Sequence, residues 1–308
     1  MKKLNIKELI ARIKEKPSKF IYSALMVIFA AVFLYSTGFL VVYYIGSNKQ
    51  AQQNDELASI VEQVQQEMNA GNNSSSNTGG NSNNTDSNVT FDPNNPLLNE
   101  DVLMEVTNPV TGDLTDVLRE YSTIFLMNPD MVGWIKIPGS KVNYPVMQTP
   151  KDGSYYLKRD FYKQPARHGS IFAHKLADVS APSDNVTLYG HNMADGSMFA
   201  GLHQYEEPQF YDEHPYIFFD SLTEHRIYKI IAVFYTTDLP DTGFAYHDYI
   251  EGDEDDFNRF IARCQELALY NTGDTATYGD KLLTLSTCDH DITDPHGRFV
   301  VVAKKVSL

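Results

Sequence analysis

The chain has 308 residues, with 25 Lys+Arg against 40 Asp+Glu, nine His and two Cys, for a formal charge of −15. Its length allows one or two domains with a buried core. The acidic balance argues against nucleic acid as a partner, and two cysteines rule out a disulfide-built scaffold or a C-x-x-C zinc pair.

Residues 1–19 are basic, with Lys2, Lys3, Lys7, Arg12, Lys14, Lys16 and Lys19 against Glu8 and Glu15. Residues 20–45, "FIYSALMVIFAAVFLYSTGFLVVYYI", carry no charge. About 20 apolar residues suffice for a helix to cross the hydrocarbon core of a bilayer. The run is too long for the apolar part of a cleaved signal peptide, and no A-x-A-like site closes it. The fifteen residues that follow carry only Lys49, Asp55 and Glu56, so the charge asymmetry predicts a single-pass signal anchor with a cytoplasmic N-terminus and the rest outside. Residues 50–308 hold 17 of the Lys+Arg and 38 of the Asp+Glu, a formal charge of −21, which disfavours docking on an anionic membrane surface.

Residues 46–95 read as a spacer. Leu57, Ile60, Val61, Val64 and Met68 recur at helical spacing, predicting a short amphipathic helix over 50–69. From Gly71 to Asn95 apolar side chains almost vanish, so burial cannot offset chain entropy and a disordered tether is predicted, spanning on the order of 25–30 Å.

Residues 96–308 read as one folded domain. "LNEDVLMEVTNP" (98–109) and "DLTDVLREYSTIFLMNP" (113–129) show 3.6-type spacing and predict two helices, each ending at a proline. Eight strand-like runs follow: "VGWIKIP", "YPVMQT", "GSIFAH", "NVTLYGH", "YIFFDS", "HRIYKIIAVFYT", "KLLTLSTC" and "RFVVVAKKV". One helix interrupts them, "EDDFNRFIARCQELALYNTG", with acids in its first turn and Gly273 just past its expected end. Many short strands without βαβ alternation predict a mainly β fold, a closed or nearly closed barrel.

Cys264 lies on the apolar face of that helix and reads as core. Cys288 instead ends a strand among polar neighbours, where a loop begins. The different settings argue against a disulfide. A thiolate is the nucleophilic form of cysteine and needs a basic or cationic neighbour at neutral pH. His191 closes another strand, after Gly190, a residue that permits close approach. Arg298 opens the last strand, separated from Cys288 by the loop 289–297. It is either solvated, paired with Asp289, Asp291 or Asp294, or aimed at a carbonyl oxygen gaining charge. Cysteine, histidine and arginine at strand ends define an acyl-transfer site in outline.

These motifs resemble the sortases, membrane-anchored cysteine transpeptidases of Gram-positive bacteria. "TLSTC" is similar to their T-L-x-T-C signature, "LYGHN" to their histidine motif, and Arg298 to their arginine after the cysteine. "NPDMVGWIKIPGSKVNYPVMQ" (128–148), "HNMADGSMFAGLHQY" (191–205) and the helix before the cysteine strand look like class B, over about residues 97–306. The resemblance implies an eight-stranded barrel with N-terminal helices and one helix inserted before the cysteine strand. It implies that Cys288 attacks a threonine carbonyl in a C-terminal sorting motif of secreted proteins and forms a thioacyl-enzyme. His191 would serve as acid and then base, Arg298 would steady the oxyanion, and a peptidoglycan amine would be the acceptor. No cofactor is implied. Class A members can bind calcium through loop acids, but "EGDEDD" (251–256) lacks the order of an EF-hand loop and suits a helix N-terminus, so no metal is expected. Pilin polymerisation, or another exported cell-wall cysteine peptidase, stays open as an alternative, although the S-H-G-C motif of L,D-transpeptidases is missing.

Overall fold

The structure, a computed structural model, describes residues 17–73, 101–237, 239, 243–288 and 296–307. The basic segment before residue 17, most of the expected tether (74–95), and Asp289, Asp291 and Asp294 lie outside them. The chain divides into two compact units, Met1–Lys49 and Gln50–Leu308. Helix α1 (Pro17–Asn73) contributes residues to both. In the first unit its large apolar side chains, among them Phe29, Val32, Phe33 and Leu40, are exposed. A helix apolar on every side is suited to lipid rather than to a protein core, and this one is long and apolar enough to cross a membrane.

The second unit is built on a barrel of eight strands: β3 (Met131–Lys136), β4 (Asn143–Met147), β5 (Ile171–Ala173), β6 (Asn185–Tyr189), β7 (Tyr216–Ser221), β8 (Ile227–Thr237), β9 (Leu282–Cys288) and β10 (Gly297–Val306). Their order, β10-β8-β7-β3-β4-β5-β6-β9, closes on itself. The β4–β5 and β6–β9 pairs are parallel, and the other barrel pairs are antiparallel. Side chains alternate across each strand. Ile135, Val146, Leu188, Phe219, Leu285 and Val301 fill the interior. Their neighbours face outward, and Ile231, Phe234, Val300 and Val302 meet helix α4 (Glu254–Leu267) through its Phe257, Phe260, Ile261 and Cys264. Tyr205, and Tyr211 of the short helix α3 (Pro208–Glu213), from the aromatic-rich segment before β7, also belong to the interior.

Two expectations fail before the barrel begins. Among the described residues of the helix predicted over 98–109, none is helical, and Leu103–Thr107 is strand β1. The helix predicted over 113–129 starts only at Arg119, because Leu114–Leu118 is strand β2, paired with β1 from Leu103↔Leu118 to Thr107↔Leu114. Only Arg119–Met127 is helix, α2. The cause is the turn between them. Asn108 Oδ1 accepts hydrogen bonds from Val110 N (2.9 Å) and Thr111 N (3.3 Å), and Gly112 takes a φ of +80°. Such Asx and glycine chemistry reverses a chain more cheaply than it continues a helix. Helix α4 likewise ends at Leu267, short of Gly273, because Leu269 N–H donates to Val233 O of β8 at 2.8 Å.

Residues 50–69 are helical, as the spacing predicts, and the helix runs on to Asn73, three residues into the stretch expected to be tether. Leu57 and Val61, one turn apart, are buried against Val106, Val117, Tyr121 and Ile124, and Ile60 packs beside them. Gln50 Nε2 donates to Gly169 O. This part of α1 therefore supplies core to the hairpin β1–β2 and α2.

Candidate active site

Register brings the three candidate residues to one level of the sheet. In the parallel pair β6–β9 the last partners are Tyr189↔Ser286, and Gly190 N–H donates to Ser286 O at 3.2 Å. Two residues beyond that pair, each chain carries its candidate, His191 just past the end of β6 and Cys288 at the end of β9. On the other side of β9, Cys288 is the direct partner of Arg298. Because Ser286 aims its carbonyl at β6, alternation aims that of Cys288 the same way. Cys288 and Arg298 thus form a non-hydrogen-bonded pair, the kind in which opposing side chains approach most closely.

All three share the outer face. Val186 and Leu188 of β6, Leu283 and Leu285 of β9, and Phe299 and Val301 of β10 point inward, so the intervening set, extended to His191, Cys288 and Arg298, points outward. Cys288 is exposed, whereas His191 and Arg298 are half-buried. Cys264 is a free thiol in the packing between α4 and the barrel, where burial pushes its pKa well above the ordinary thiol range.

His191 Nε2 lies 2.7 Å from Leu157 O. A carbonyl only accepts, so Nε2 carries the hydrogen and Nδ1 is left to take up or give a proton. Gly190 is required by close approach. A Cβ there would lie 2.5 Å from Ile171 Cδ1 and 2.6 Å from Phe199 Cγ, so the chain leading to His191 is pressed onto the barrel. Arg298 Nη1 donates to Gly297 O at 2.8 Å, which fixes one side of its guanidinium.

Several neighbours of the site carry no sequence signal of their own. Asn192 Nδ2 donates to Cys288 O at 3.0 Å. His203, in the 3₁₀ turn Ala200–Glu206, brings Nε2 to 3.0 Å from Asn192 Nδ2 and Nδ1 to 2.5 Å from Glu206 Oε1. Two residues before the thiol, Ser286 Oγ and Tyr246 OH are 2.6 Å apart. The one available signal was that Asn192 adjoins His191; nothing in spacing marks His203. The acids of 251–256 serve structure: Asp253 and Asp256 form a capping box on α4, and Glu251 Oε1 accepts from Ser183 Oγ at 3.2 Å.

The closed barrel places a cysteine, a histidine and an arginine at neighbouring strand ends, side chains of the kinds that acyl transfer employs. A family model described as a sortase domain matches residues 135–306. Sortase B of Listeria monocytogenes is 35% identical over 202 residues, covering 65% of this chain and 78% of the relative. The structure of a Staphylococcus aureus sortase B–substrate complex is 30% identical with a TM-score of 0.57, covering 62% of this chain and 87% of that one. Sortase B of Bacillus anthracis in complex with AAEK1 is 35% identical with a TM-score of 0.55, covering 62% and 86%. The chain belongs to the sortase family and stands with its class B members. It is therefore a transpeptidase, whose substrates are surface proteins and an amine nucleophile.

Proposed function

We propose that the enzyme cleaves a C-terminal sorting motif of secreted proteins after threonine and joins the new acyl end to a peptidoglycan amine. Cys288 thiolate attacks the threonine carbonyl, and the oxyanion that forms is held by the Arg298 guanidinium. The C–N bond breaks, and the leaving amine takes its proton from His191. A thioester on Cys288 remains. The acceptor amine attacks it, gives its proton to His191, and expels the thiolate, which restores the enzyme.

The observation that supports this reading is the shared level of His191, Cys288 and Arg298 on three adjacent strand ends. The tautomer set by Leu157 O leaves His191 Nδ1 as the proton carrier. The exposure of Cys288 leaves it accessible to an extended peptide. For location, we propose a single membrane crossing by residues 20–45, with residues 1–19 cytoplasmic and the catalytic unit outside, supported by the apolar helix and the basic flank.

The test uses a peptide with an N-P-x-T-N or P-x-T-G type motif and a small amine acceptor. The wild type is expected to yield both cleaved peptide and amine-joined product. Cys288→Ala is expected to lose both with its melting midpoint unchanged, whereas His191→Ala and Arg298→Ala fall by about 10²-fold or more. Full activity in Cys288→Ala refutes the proposal.

A further inference from the structure

We infer that Asn192, His203 and Glu206 form a positioning relay that fixes the backbone of the nucleophile, an assignment that rests on Cys288 being that nucleophile. In the parallel ladder between β6 and β9, the backbone rung that would reach Cys288 O, two residues on from Gly190 N–H to Ser286 O, is Asn192 N–H to Cys288 O. That backbone rung is replaced. The chain turns at Asn192 to form an isolated bridge with Met198, and the Asn192 side-chain amide donates to Cys288 O at 3.0 Å instead.

The hydrogens of the relay follow from what each atom is able to do. Cys288 O only accepts, so the Asn192 atom facing it is the amide nitrogen. The second hydrogen of that nitrogen points to His203 Nε2 at 3.0 Å, so Nε2 accepts and the ring hydrogen sits on Nδ1. Nδ1 then donates to Glu206 Oε1 at 2.5 Å. His203 Nε2 is also 3.3 Å from Cys288 O, two acceptors bridged by one amide group. The ring is held flat on Phe299, with centroids 4.5 Å apart and planes 22° from parallel, and Phe299 adjoins Arg298. The carboxylate sets the tautomer, the tautomer aims the amide, and the amide pins the carbonyl of Cys288. Because Asn192 adjoins His191, one side chain also ties the acid–base residue to the nucleophile.

A misplacement on the order of 1 Å in a catalytic group is able to cost about 10²-fold in rate. The relay therefore predicts a loss in the acylation step rather than in peptide binding. Single-turnover acylation by a sorting peptide is followed in the full-length enzyme by intact mass, with KM and melting midpoint measured alongside. Asn192→Asp replaces the donor with an acceptor of the same shape, and His203→Phe keeps the stack but cannot accept. Both are expected to slow acylation by about 10- to 100-fold at unchanged KM. His203→Gln restores an acceptor for Asn192 and a donor for Glu206, and is expected to recover most of the rate. Should Asn192→Asp fail to fold, Glu206→Ala, at the solvent end of the relay, carries the same prediction of slower acylation at unchanged KM. His203→Phe acylating at the wild-type rate, or His203→Gln as slow as His203→Phe, overturns the relay alone. A wild type that forms no adduct on Cys288 overturns the parent reading and the relay with it.

Discussion

Two cysteines of one chain end in opposite environments, and elementary periodicity decides which is which. Cys264 falls on the inner stripe of α4 beside Phe260 and Ile261, fully packed. Cys288 falls on the outer set of β9, at the point where the strand stops. Native-state alkylation followed by peptide mapping is expected to label Cys288 and leave Cys264 intact until the fold is opened by denaturant. A second residue-scale prediction concerns His225, whose Nδ1 is 2.9 Å from Asp220 Oδ2 and whose Nε2 is 3.2 Å from Glu120 Oε1. Burial alone would disfavour the imidazolium, but hydrogen bonds and charge from both carboxylates outweigh it and push the pKa up to about 10. The folded value lies above the unfolded one, so this stabilisation is whole below about pH 6.5 and is lost as pH rises toward about 10. His225→Gln leaves the buried Glu120 and the half-buried Asp220 without their cation and is expected to cost about 3 kcal/mol at pH 6. Melting curves from pH 6 to 10 should show the wild type converging on the variant as pH rises; a constant gap contradicts the assignment.

At the scale of elements, α1 and α4 carry the clearest mechanical tests. Leu57 is buried with Val61 under the β1–β2 hairpin and α2, so Leu57→Ala is expected to cost about 3 kcal/mol in urea unfolding. Asp253 caps α4 by accepting from Asp256 N at 2.9 Å, and Asp253→Ala is expected to cost about 1 kcal/mol. All eight barrel strands were legible as runs of β-branched and aromatic residues, and the helix before β9 as an amphipathic stripe, because these patterns describe what each element buries. The β1–β2 hairpin was not. Its strands are five residues each, and Leu103 with Val106, or Leu114 with Val117 and Leu118, fits a helical spacing by coincidence. The Asn108 turn decided the matter locally. The candidate row of His191, Cys288 and Arg298 was readable from strand ends, but His203 was not, since a 3₁₀ turn carries no period that marks a contact with Cys288 O.

For the whole molecule, an apolar helix, a spacer and a strongly acidic catalytic unit together suit an enzyme held at a membrane and working beyond it. Protease added outside intact cells is expected to digest residues 50–308 while a tag placed ahead of residue 17 survives. Digestion of the tag alone contradicts the proposed orientation. The claim on which all else depends is that Cys288 forms an acyl bond with the threonine of a sorting peptide. It is tested most directly by quenching the wild-type enzyme with such a peptide, measuring the intact mass, and locating the adduct by fragmentation. We predict a mass increase equal to the peptide up to its threonine, carried on the peptide containing Cys288 and discharged by an added amine. An adduct on another residue, or cleavage that proceeds with Cys288 never modified, would contradict it.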